Sequence, residues 1–78
     1  MKMKKKKITV PLTKNSSLSK EHYYIRSKVY YRIVEFFKIG TVNLLLLDYY
    51  KNKEWLRKTL LVKRKDFIKH FKRIKYEN

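Results

Sequence analysis

Seventy-eight residues carry 22 Lys and Arg against 6 Asp and Glu, a formal charge of +16. The chain has no cysteine, so neither a disulfide framework nor a thiolate metal cage can staple a domain that buries only about 60 to 65% of its unfolded surface. Such an excess of one sign points to a polyanionic partner, because every phosphate neutralised releases condensed counterions whatever the sequence.

Taken in chain order, Met1 to Lys7 is a lysine run with nothing to bury, expected to form a disordered basic arm (residues 1–7) that touches phosphate through Lys4, Lys5, Lys6 and Lys7. The domain proper is expected over residues 8–78. Ile8 to Leu12 is β-branched with a proline, as at an edge strand, and is too short for the apolar core of a signal peptide. Lys14 to Ser17 reads as a loop. From Ser19 two readings stand: one long helix to Ile39, or a short strand through Tyr23, Tyr24 and Ile25 followed by a helix that Ser27 caps. Tyr30, Ile33, Val34 and Phe37 fall at i, i+3, i+4 and i+7, the stripe of an amphipathic helix. Gly40, the one glycine, is placed for a positive-φ turn, and Thr41 would cap a second helix to about Lys51. Its apolar run, Leu44 to Leu47, is far below the ~18 to 20 residues of a membrane span. Trp55 to Arg57 and Leu60 to Val62 suggest a short hairpin, with Trp55 packed on the helices. Asp66 would cap a last helix with Phe67, Ile68, Phe71 and Ile74 on its apolar stripe.

That order, strand, helix, turn, helix, hairpin, helix, predicts an α+β fold: a small winged helix-turn-helix with a β-hairpin wing. Phe36-Phe37-Lys38-Ile39-Gly40, Leu44 and Leu47, the Lys51-Asn52 turn leading to Trp55, and Val62-Lys63-Arg64-Lys65 before Phe67 carry the comparison further. Over about Val29 to Phe71 the chain resembles the excisionases of integrative conjugative elements, the recombination directionality factors. The resemblance implies a DNA-binding accessory protein of a mobile genetic element that binds and bends double-stranded DNA and biases an integrase toward excision. A transcriptional regulator and a transfer-origin accessory protein on the same fold stay open.

The candidate DNA contacts are the arm lysines, Lys38, Thr41 and Asn43 near the second helix, Arg57 and Lys58 in the wing, and Lys63, Arg64 and Lys65. Leu45 and Leu46 stand where a recognition helix shows polar side chains, and they suggest a protein interface or self-association on DNA. From another class comes a protein-interaction module using that leucine-rich helix. Tyr23-Tyr24, Tyr30-Tyr31 and Tyr49-Tyr50 could stack on unpaired bases, but adjacent residues point to different sides, so at least one of each pair is expected in the core. The acidic residues are scattered singly, and His22 and His70 have no ligand spacing, so no catalytic, metal or cofactor site is expected. The expected setting is cytoplasmic, with no membrane partner.

Overall fold

A computed structural model of the chain describes residues 6–77, with side chains described for all of these except 57–59 and 77. Its elements in chain order are β1 (Lys6–Pro11), β2 (Tyr23–Arg26), β3 (Val29–Ile39), β4 (Val42–Lys51), β5 (Glu54–Lys63), α1 (Arg64–His70) and β6 (Lys72–Glu77). The strands form one six-stranded sheet in the order β1-β6-β2-β3-β4-β5, and every pairing is antiparallel. The winged helix-turn-helix expectation is therefore overturned. Both of its central helices are strands, and the only helix among the described residues has seven residues.

Three tight turns explain the meander β2-β3-β4-β5. Ser27-Lys28 and Asn52-Lys53 each join strands with both residues at positive φ, as a type I′ turn requires, and Gly40 turns at φ 62° ahead of Thr41. Primed turns match the right-handed twist of paired strands, so these segments become hairpins, not helix caps. Val29 to Ile39 is rich in β-branched and aromatic residues, which favour a pleated surface. Its helical period arises from a bulge: the β3–β4 register slips between Ile33 and Glu35, so the extra residue Val34 breaks strict alternation.

The leucine run shows the strand period directly. Leu45 and Leu47 are 1% and 0% exposed, whereas Leu44 and Leu46 point to the opposite face and are half-buried. Leu45 thus belongs to the intramolecular core and is not offered to a partner. The core lies between the sheet and α1, where Tyr24, Ile33, Leu45, Leu47, Phe67 and Phe71 meet. Phe67 and Phe71 are stacked with ring centroids 4.4 Å apart, and each meets a tyrosine edge to face at 4.9 Å: Tyr24 on β2 and Tyr31 on β3. Tyr24 is wholly buried, and its hydroxyl accepts the Ser19 N–H at 3.2 Å. Burial raises the Tyr24 phenol above its ordinary value.

The last helix is real but one turn shorter than its stripe suggested. Lys63, not Asp66, is its N-cap, and Phe71 is already extended at φ −108° and ψ 156°. Ile74 is therefore a strand residue, and β6 inserts between β1 and β2, a pairing no local pattern announces. No helix among the described residues is long and apolar enough to cross a membrane.

Two substitutions test this architecture by chemical denaturation. Leu45→Lys should unfold the domain, since an unpaired charge would sit in the core, whereas Leu46→Lys on the opposite face should stay folded. Lys53→Gly should stabilise by roughly 0.5–1 kcal/mol, because glycine adopts positive φ without the steric penalty lysine carries there.

Candidate nucleic-acid interface

The face of the sheet turned away from α1 carries side chains set by register. One row runs Lys72, Ile25, Tyr30, Tyr50, Trp55 across β6, β2, β3, β4 and β5, each residue directly opposite the next. A second runs Thr9, Ile74, Tyr23, Arg32, Asp48 across β1, β6, β2, β3 and β4. Lys7 and Tyr76 stand opposite each other on β1 and β6, two residues along from Thr9 and Ile74. Residues directly opposite share a face, so one alternation fixes the whole surface.

On that surface Tyr23, Tyr30, Tyr50, Trp55 and Tyr76 ring a shallow pocket of about 190 Å³ with Ile74 in its lining. Trp55 lies nearly parallel to Tyr23 at a centroid distance of 5.6 Å and an angle of 14°, and it meets Tyr50 edge to face at 5.2 Å. The Arg32 guanidinium sits 4.5 Å from the indole centroid and holds the Asp48 carboxylate at 3.4 Å. Asp48 is buried at 4% exposure, so it anchors Arg32, and Arg32 in turn fixes the plane of Trp55. Lys7 donates a hydrogen bond to the Tyr30 hydroxyl from the edge strand, and that bond raises its ammonium above its ordinary value. Tyr23, Tyr50 and Tyr76 remain 43%, 37% and 54% exposed. A sheet face built only to meet water would alternate in polar residues; this one presents aromatic rings beside Lys7, Arg32 and Lys72.

Each tyrosine pair divides as alternation requires. Tyr24 and Tyr31 turn to the helix side while Tyr23 and Tyr30 face outward, and Tyr50 faces outward with Tyr49 opposite Tyr31. The stacking residues were therefore legible as pairs, and period two was the signal that picks one from each. The hairpin expected of Trp55 to Arg57 with Leu60 to Val62 does not form: both segments belong to the single strand β5 and pair with β4, because the turn residues with positive φ are Asn52 and Lys53 before it. Trp55 lies near the start of that strand on the face opposite α1 and so is not packed on a helix. Tyr76 and Arg32 were missed, since only the register brings β6 and β3 beside that ring.

The predicted basic contacts fall in several places. Thr41, Asn43, Lys63, Arg64 and Lys65 do come together, around a groove between the β3–β4 hairpin and α1, and Lys38 lies opposite Asn43 in register. Lys6 and Lys7 are the first residues of β1 and not part of an arm, and Lys4 and Lys5 lie outside the described residues. Arg57 and Lys58 belong to β5, with side chains outside the described set. Leu46 points to the open face, away from the core that holds Leu45.

No protein-family model matches the chain, and comparison with characterised proteins and with solved structures finds no match. The resemblance to excisionases thus rests on the residues quoted for it, and those residues build a different fold.

The position of Trp55 yields a stability contrast readable by thermal unfolding. Phe67→Ala should cost about 3–5 kcal/mol as a cavity in the core, whereas Trp55→Ala, removing a half-buried ring from the open face, should leave a cooperatively folded domain.

Proposed function

We propose that this protein is a non-enzymatic nucleic-acid-binding protein that holds single strands on the open face of its sheet. The observation that carries the reading is the cluster of exposed Tyr23, Tyr50 and Tyr76 with half-buried Tyr30 and Trp55, left uncovered by the helix, in a chain of charge +16. Unpaired bases stack on aromatic rings whatever their identity, because every base has a π-face. Lys7 and Lys72 on the same face supply positive charge for the phosphates between those bases.

Double-stranded DNA was expected on the strength of a recognition helix and a wing, and the fold supplies neither. Stacking needs bases that are already unpaired, so the aromatic face favours a single strand over a duplex. The nucleic-acid partner itself is carried by charge and does not depend on the winged architecture. An excisionase-like role in recombination has no support from this surface.

Fluorescence anisotropy with labelled oligothymidine, its duplex counterpart and the intrinsic emission of Trp55 tests the reading. The single strand should bind more tightly than the duplex and quench the tryptophan. The logarithm of affinity should fall with the logarithm of salt at about 0.7 per phosphate contact. Tyr23→Ala and Trp55→Ala should each weaken binding by about 1–3 kcal/mol while the fold persists. Preference for duplex with unchanged tryptophan emission would sink the proposal.

A further inference from the structure

At the other end of the sheet from the aromatic cluster, a groove of about 460 Å³ opens between the β3–β4 hairpin and α1. Asn43 lies seven residues along β4 from Tyr50, about 24 Å at the rise of a strand. The groove's chemistry is one-sided. Lys14, Lys63 and Lys65 line it with basic side chains, Thr41 and Asn43 with side chains able to hydrogen-bond, and Val42 and Ile68 with apolar surface. Among the described residues no Asp or Glu lines it.

The basic rim is also held in place. The Arg64 guanidinium donates to the backbone carbonyls of Lys14 at 3.2 Å and Ser16 at 3.3 Å. Both acceptors are neutral, so these bonds fix Arg64 without cancelling its charge. They clamp a turn that is closed on itself: the Thr13 N–H donates to Ser16 Oγ at 2.8 Å, and the Ser16 N–H donates to the Thr13 carbonyl at 2.9 Å. Lys14 is thereby carried to the groove on a braced loop from a segment some fifty residues away. Basic residues lining one concave site add their potentials there, and low-dielectric walls focus the field. A lysine face kept only for solubility has no need of such bracing.

We infer that this groove is a phosphate-binding site that takes one phosphate group of a nucleic-acid strand, an internal phosphodiester or a 5′-terminal phosphomonoester. Lys14, Lys63, Lys65 and Arg64 neutralise the oxygens, Thr41 and Asn43 donate hydrogen bonds, and the wall of Val42 and Ile68 accommodates the attached sugar. The inference adds a contact to the proposed function but stands on its own geometry, with no use of the aromatic face.

The test is an NMR titration of the full chain with inorganic phosphate, against sodium chloride at matched ionic strength. Saturable shifts should appear at the amides of Thr41, Asn43 and Lys63 to Lys65, with Trp55 unmoved and with no equivalent in chloride. The double variant Lys63→Ala/Lys65→Ala, which changes two exposed side chains, should fold and lose the saturation. Oligothymidines with and without a 5′-phosphate then separate the sources. A terminal phosphate makes the phosphorylated strand bind severalfold tighter, an advantage the double variant erases; an internal phosphodiester makes both strands bind alike and weaken together in the variant. Shifts that never saturate and scatter over every lysine-bearing strand, or a double variant that titrates like its parent, would overturn the site. Failure of the aromatic reading would appear at the Trp55 emission instead, so the two fail separately.

Discussion

A helix of seven residues is about 10 Å long, and six antiparallel strands span about 24 Å, so α1 can cover only part of one face of this sheet. Everything else follows from that inequality. The covered face takes the residues that must leave water, Tyr24, Ile33, Leu45 and Leu47, closed by Phe67 and Phe71. The uncovered face receives the alternate residues, and those are aromatic where a merely solvated face would be polar. One period-two pattern thus divides stability from the candidate interface: Tyr24 sits in the core and Tyr23, one residue away, on the surface.

The Arg32–Asp48 pair illustrates how the open face is held. Asp48 is buried at 4% exposure beside a partly exposed Arg32 at 3.4 Å, and a buried ion pair is weak evidence for stability because desolvation opposes the Coulombic gain. Its geometry has another use. Asp48 fixes Arg32 over Trp55, which then lies alongside Tyr23, and a ring locked this way loses little freedom when a base stacks on it. Preorganisation, more than added contact area, is what this charge pair contributes.

Punctuation in the sequence was more legible than the elements between. Gly40, the turn at Asn52, the Lys14 to Ser17 loop and the proline that ends the edge strand β1 all fall where the residues placed them, because turn chemistry is local, whereas the turn implied between Arg57 and Leu60 lies inside β5 and Ser27 turns a hairpin instead of capping a helix. The type of the intervening elements was not legible. Val34 at the bulge turned strand alternation into an apparent helical stripe, and four consecutive leucines carry no period at all. β-branched and aromatic enrichment over Val29 to Ile39 was the signal that favoured a strand there. The insertion of β6 between β1 and β2 joins residues from 47 (Ile25 to Lys72) to 71 (Lys6 to Glu77) positions apart, and no windowed pattern contains that information. For the site, charge suggested the class of partner proposed above, while the rows that gather Tyr23, Tyr30, Tyr50 and Trp55 exist only once the register is known.

Charge and aromatic area act on different parts of a polymer, and their separation on this molecule bears on selectivity. Cations alone would bind any nucleic acid and let go of it as salt rises, since counterion release is indifferent to strandedness. Rings alone would hold unpaired bases but leave the charged backbone without a partner. On the proposed reading, Lys7 and Lys72 on the same face as the five rings would make the two effects conditional on each other, because a strand gains stacking only where its bases are unpaired and its phosphates lie within reach of those cations. The cations gathered around Lys63, Arg64 and Lys65 lie apart from the rings and carry no such condition, so they add affinity for phosphate without adding preference for a single strand. On the proposed reading, discrimination therefore resides in the face of the sheet that the helix leaves uncovered.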